Sequence, residues 1–329
     1  MKQRLFKGGR RVSEVGLGAW QLGGADWGDL PDIRAFEILD AAADAGVTFI
    51  DTADVYGLGR SEQLIGQWLA RREDRERFFV ATKIGRFPEP GWPENFTPDA
   101  VRAHVEACRE RLGVEALDLV QLHCVPFEQL RLGAMVATLR ELKAQGKIKA
   151  FGASVETVEQ ALYALSIDGL ASLQVIHNIL RQPMNIRVLP EAKKKGVSII
   201  VRLPLASGLL SGKMRADQSF AENDHRNYNR DGEAFYVGET FNGLPLEKGV
   251  ELIERVRPLV PQAMTMTQFA LRWCLDHDAV TTVIPGATSP EQARGNAAVS
   301  DLSPIDRGAM VRLRAFYGTE VAPFIRGGV

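Results

Sequence analysis

Short apolar runs alternate with longer stretches of helical periodicity from one end of this chain to the other, and the alternation repeats eight times. The strand-like runs fall at residues 12–19, 48–53, 78–83, 117–123, 148–154, 173–177, 197–203 and 280–285. They are apolar on both parities, as expected of strands buried between a core and a ring of helices. The helical stretches between them include AFEILDAAADAG, SEQLIGQWLARR, PDAVRAHVEACRERLG and GAMVATLRELKAQG. Several end at Gly, the usual left-handed cap. Pro98 and Pro290 stand where a first helical turn would begin, with Thr97 and Ser289 as the capping side chains. This pattern predicts an α/β fold, a (β/α)₈ TIM barrel with its active site at the C-terminal face of the strands. An open doubly wound sheet usually carries G-x-G-x-x-G after its first strand. The segment VGLGAWQLGG lacks that spacing. With no internal repeat and no low-complexity linker, residues 1–329 read as a single domain.

Composition narrows the partners. Forty basic residues against forty-one acidic ones leave a net charge of −1, which argues against nonspecific binding to nucleic acid or anionic membrane. Cys108, Cys124 and Cys274 form no metal-ligand spacing, so no metal is expected, and an odd thiol count suits a reducing compartment. The opening MKQRLFKGGRRV has no apolar run, and no stretch approaches the roughly 18 apolar residues that span a bilayer. A cytoplasmic protein acting on a small molecule is the expectation, its oligomeric state open. One connection is unusual: residues 214–245 are polar and without periodicity. Loops this long in compact domains are usually functional or disordered, and this one follows the seventh strand, so it is expected to act as a lid over cofactor or substrate.

Four polar residues stand at the ends of apolar strands. Asp51 closes TFID, Lys83 closes FFVATK, His123 closes LDLVQLH, and Tyr56 follows in TADVYG. Each alone would more often be structural, but together they suit proton delivery to a carbonyl receiving a hydride. A free phenol is a poor acid at neutral pH. The Lys83 ammonium should favour the phenolate and make Tyr56 a better donor, while Asp51 neutralises Lys83 and a neutral His123 orients the carbonyl. No residue carries electrons, so the hydride must come from a cofactor.

The segments VSEVGLGAWQLGG, FIDTADVYGLGRSEQLIG, FVATKIG, DLVQLHC, GKIKAFGAS and VIPGATSPEQARGN resemble, in order and spacing, the aldo-keto reductase superfamily, including its potassium-channel β-subunit branch. The resemblance implies a barrel that reduces aldehydes and ketones with NADPH, NADH being the alternative. It carries the family's catalytic tetrad onto Asp51, Tyr56, Lys83 and His123. It also implies a cofactor site at Trp20, Ser154, Gln174, Arg202, Pro204, Leu205, Ala206, Gly208 and Lys213, and at Gly286, Thr288, Gln292 and Asn296. There are departures: Val155 replaces the usual Asn, Arg202 stands where relatives stack an aromatic ring on the nicotinamide, and Gly286 and Gln292 replace cations that grip the 2′-phosphate. Arg202 should therefore favour the reduced cofactor, and Arg226 or Arg230 in the long loop are the candidates to supply the missing charge. Trp27, Phe87 and Trp92 either wall a substrate pocket or simply pack loops onto the barrel. Two other readings use the same residues: an NAD-linked sugar or polyol dehydrogenase, and a cofactor-sensing regulatory module.

Overall fold

The computed structural model describes residues 1–329, the side chain of Ala25 excepted. Its first two strands, β1 (Gln3–Leu5) and β2 (Arg11–Ser13), form an antiparallel hairpin. Eight parallel strands follow: β3 (Leu17–Gly18), β4 (Phe49–Asp51), β5 (Phe79–Ile84), β6 (Leu119–His123), β7 (Phe151–Ser154), β8 (Ser172–Ile176), β9 (Ser198–Arg202) and β10 (Val280–Val283). Each pairs with the next in sequence. Parallel bridges from Val15 to Val283 and from Gly18 to Gly286 close the barrel.

The first expected strand, 12–19, is a correction. Its front part belongs to the hairpin, Val15 makes a single bridge, and only Leu17–Gly18 forms a barrel strand. Apolar burial looks the same in sequence whether a residue plugs a barrel or builds its wall. Here Phe6 and Val12 plug it, clustering with Phe49, Phe79, Ala81, Leu119, Ile200 and Ile284. Arg4 fastens the plug, donating to Glu14 and to the carbonyls of Val280 and Leu275. The other seven strands lie where expected, shorter by a few residues at some ends.

A second, larger core lies between the strands and the outer helices. The helix Pro98–Leu112 starts as anticipated, with the Thr97 hydroxyl accepting from the amide of Ala100 and Gly113 closing it in the left-handed region. The helix Pro290–Ala297 is capped by Ser289 in the same way. One close approach needs glycine: a Cβ on Gly152 of β7 would lie 2.1 Å from the Ser172 hydroxyl. No helix among the described residues is long and apolar enough to cross a membrane.

Side chains alternate across a strand, and that period positions the site. Phe49, Ala81, Leu119 and Ile200 point into the plugged core. Two residues further along the same strands come Asp51, Lys83, Gln121 and Arg202, and His123 follows Gln121 by another two. The inner face thus turns from apolar to polar at the C-terminal end of the barrel.

Candidate active site

Asp51, Tyr56, Lys83 and His123 meet at that end. Lys83 Nζ lies 2.5 Å from Asp51 Oδ1, 2.9 Å from the Thr52 carbonyl oxygen and 3.1 Å from the Tyr56 hydroxyl. The other Asp51 oxygen accepts from Gln174 at 2.8 Å and from Gln121 at 3.2 Å. The His123 ring meets the Tyr56 ring edge-on at 5.8 Å, and the Trp20 indole stacks on Tyr56 at the same centroid distance. Asp51, Lys83 and His123 are buried. An ammonium with this little water is stable only because the carboxylate and two oxygens meet its charge.

The electrostatics divide. Burial alone would lower Lys83, but Asp51 and Tyr56 outweigh it and hold the ammonium above its ordinary range. Burial keeps His123 far below its usual value, and the nearby Arg86, Lys83 and Arg202 add to the effect, so the ring is neutral. For Tyr56 the expectation needs correcting. Lys83 does pull the phenol downward, but desolvation is the larger influence and the net shift is upward. Tyr56 is therefore held in its protonated form.

Beside His123 lie two guanidiniums and two carboxylates. Arg86 approaches Glu156 at 3.1 Å and Glu239 at 3.4 Å, while Arg202 approaches Glu239 at 3.3 Å. Arg202 also donates to the Cys124 sulfur at 3.3 Å. Burial opposes ionisation of Glu239, yet Arg86 and Arg202 hold its carboxyl below the usual range. Burial and the neighbouring Glu239 push Glu156 up. Cys124, Glu156 and Glu239 bring three metal-type donors within 4.8 Å of one another, but Arg86 and Arg202 already supply the positive charge a cation would bring. These groups open into a cleft of about 1490 Å³ that extends from Asp51, Tyr56 and His123 past residues 203–208 to Gly286, Thr288, Gln292 and Asn296.

Residues 14–317 match the Aldo/keto reductase family. The chain belongs to that family. It is similar to an NADH-specific methylglyoxal reductase of Escherichia coli, 30% identical over 91% of this chain and 93% of that one. Among solved structures it resembles a glycerol dehydrogenase from Gluconobacter oxydans, with a TM-score of 0.79, 28% identity and coverage of 99% and 98% of the two chains. An aldo-keto reductase from Klebsiella pneumoniae, solved in complex with NADPH, shares the fold, with a TM-score of 0.70 at 24% identity over 96% and 95% of the chains. The protein is accordingly an oxidoreductase of the aldo-keto reductase family.

In this aldo-keto reductase, Trp20, Gln174, Arg202, Pro204, Leu205, Gly208, Lys213, Gly286, Thr288, Gln292 and Asn296 all line the cleft. Ala206 is fully buried and lies outside the lining. Ser154 also lies beneath the surface, 3.5 Å from both Cys124 Sγ and Gln174 Oε1. Gln292 is occupied locally, its carbonyl accepting from the amide and hydroxyl of Thr288, while Asn296 donates to the Gly286 carbonyl. Arg226 reaches the cleft, but Asp224 holds its guanidinium in two hydrogen bonds, at 2.9 and 2.6 Å. Arg230 is not among the lining residues. The ion pair with Glu239 balances the Arg202 charge, which weakens the basis for a bias toward reduced cofactor.

Trp27, Phe87 and Trp92 both line the cleft and pack loops: Trp27 against Trp20 and His225, Phe87 near His104, and Trp92 donating to the Gly85 carbonyl. The long loop is tied across the mouth. His225 is buried against Trp20 and Trp27, the Tyr228 hydroxyl donates to Asp26 at 2.6 Å, and the Ser207 hydroxyl donates to the Glu239 carbonyl. Sequence reasoning missed Gln121, Arg86, Glu156 and Glu239. The inward parity shared with His123 would have revealed Gln121. Glu239 sits in a segment with no periodicity to read.

Proposed function

We propose that this protein reduces an aldehyde or ketone to an alcohol with a reduced nicotinamide dinucleotide, Tyr56 serving as the proton donor. The contact between the protonated Tyr56 hydroxyl and the Lys83 ammonium, 3.1 Å across the floor of the cleft, carries the reading. The donor set suits a dinucleotide. The small residues Ser207, Gly208 and Ser211 line the middle of the cleft beside the exposed Lys213, which pairs with no carboxylate among the described residues. A Ser289-capped helix start lies next to Thr288 at the far end, where helix amides favour a phosphate. Gln174 and Arg202 would adjoin the nicotinamide, and Lys213 with Ser211 the phosphates.

When bound, the cofactor supplies the hydride. The protein's part is to hold the carbonyl oxygen between Tyr56 and His123, with the neutral imidazole donating a hydrogen bond and Tyr56 releasing its proton as the oxygen gains charge. Lys83, fixed by Asp51, stabilises the resulting phenolate. Gln121 and Gln174 hold the second Asp51 oxygen, so the carboxylate cannot turn away. Residues 214–245 act as the lid.

NADPH is the cofactor proposed. NADH is the second reading, favoured by Gly286 and by the local engagement of Gln292, which leave the expected phosphate grip without a cation. Fluorescence titration with both dinucleotides, followed by turnover on a carbonyl panel, tests this. Tight binding with turnover is expected, and binding without turnover on any carbonyl would turn the assignment toward the regulatory module.

A further inference from the structure

Tyr56 is braced by the connection that follows β3, residues 19–31. The two backbones touch at a pair of glycines. A Cβ on Gly23 would lie 2.7 Å from the Tyr56 carbonyl carbon, and one on Gly57 would lie 2.2 Å from the Gly23 carbonyl oxygen. Trp20, from the same connection, lays its indole on the Tyr56 ring with the planes only 19° apart. The indole is held in turn: its N–H donates to Asp26 Oδ2 at 2.9 Å.

The other oxygen of that carboxylate belongs to the long loop. Asp26 Oδ1 accepts from the Tyr228 hydroxyl at 2.6 Å, and the Asp26 carbonyl oxygen accepts from His225 Nδ1 at 3.2 Å. Phe235 adds an edge contact from the loop to Trp20 at 6.3 Å. One carboxylate therefore joins the ring that backs Tyr56 to the segment that crosses the cleft mouth. Hydrogen bonds to an ionised carboxylate are about twice as strong as neutral ones. Trp20, Asp26 and Tyr228 are nevertheless only half-buried and all line the cleft, so water can compete for this link as it cannot for the buried pair of Asp51 and Lys83.

We propose that Asp26 is a positioning residue: by sharing its carboxylate between Trp20 and Tyr228, it makes the placement of the Tyr56 phenol depend on closure of the long loop. This rests on the reading of Tyr56 as the proton donor. Asp26 touches neither the carbonyl nor the hydride. Its effect passes through the Trp20 face, and proton delivery is aligned when the loop is closed and lost when it lifts.

The test measures single-turnover reduction by Tyr228→Phe, Asp26→Asn and the double variant, using the best substrate among methylglyoxal, propanal and 4-nitrobenzaldehyde. Misplacing a reacting group by about 1 Å can cost about a hundredfold, so each single variant should slow this step by about tenfold or more. Its solvent deuterium isotope effect should rise, and the dinucleotide dissociation constant should change by no more than about threefold. The double variant should be no slower than Asp26→Asn, since both substitutions break one link. Hydrogen exchange provides a readout that needs no activity: Tyr228→Phe, although altered in the long loop, should speed exchange at residues 19–28 and 54–58. Should Asp26→Asn fail to fold, Tyr228→Phe alone decides. An unchanged rate and isotope effect in the folded variants, or losses that add in the double variant, would overturn the proposal. A merely structural tie would loosen the long loop and leave the isotope effect alone. Full turnover in Tyr56→Phe, run as the control, would instead remove the acid assignment. If no carbonyl is turned over, the reductase reading fails and exchange alone decides the link: faster exchange at residues 19–28 keeps it, and unchanged exchange removes it.

Discussion

The two sides of the cleft are built differently. On one side, Asp51, Lys83 and His123 stand on paired strands, their separations set by sheet register. On the other, Glu239, His225 and Tyr228 arrive on a long loop and are held by side-chain contacts with Arg86, Trp20, Trp27 and Asp26. Groups held by strand register have fixed geometry, and groups held on the loop sit where sequence can vary without disturbing the barrel.

If that division holds, the largest effects belong to the strand side. Tyr56→Phe removes the proposed proton donor and should lower turnover by about a thousandfold, with cofactor affinity changed by no more than about twofold. Full turnover in this variant, measured beside a binding titration, would take the acid role away from Tyr56. Lys83→Met should lose nearly as much activity, and the double variant should be little worse than either single one because the residues act as a unit. Lys83→Met also strands a buried Asp51 carboxylate, a loss that costs about 3–5 kcal/mol. Adding Asp51→Asn should restore the melting temperature without restoring activity.

At the Thr288 and Gln292 end of the cleft a smaller effect is expected. Gln292→Arg should raise the NADPH-to-NADH preference by about tenfold, since a guanidinium can meet a phosphate with two hydrogen bonds. An unchanged ratio of dissociation constants would move the 2′-phosphate away from Gln292.

The smallest effect concerns stability. Asp54 is fully buried, with neither carboxyl oxygen hydrogen-bonded among the described residues. Burial, reinforced by Glu62, pushes its carboxyl up to about 8 against the opposing pull of Arg111 and Lys83. Unfolded, the same group ionises near about 3.9. Between those values the unfolded chain loses a proton that the folded chain keeps, so stability falls as pH rises from about 4 to about 8 and the loss is complete above that. Asp54→Asn should flatten this dependence, melting a few degrees higher than wild type at pH 8 while gaining less at pH 4. Parallel melting curves for the two proteins across that range would count against a raised carboxyl.

The strand side was readable in the sequence. Lys83 and His123 share the parity of apolar neighbours on their own strands, and Asp51 follows Phe49 in the same way, so convergence followed once a barrel was inferred. The same arithmetic would have found Gln121. The loop side was not readable, because the contacts of Glu239 with Arg86 and Arg202 join residues far apart in sequence through a segment without pattern. Two further errors share a cause. Residues 12–19 looked like one strand because a plug and a wall are equally apolar. Tyr56 looked acidified because the sequence names its neighbour Lys83 but does not show how completely the phenol is cut off from water.

The hairpin that seals the barrel floor has a practical consequence. Its turn, residues 7–9, is exposed at the end of the barrel opposite the mouth. A surface linker attached there would leave the entrance facing outward, so the same protein could be fixed to an electrode or a bead without blocking the route by which reactants come and go.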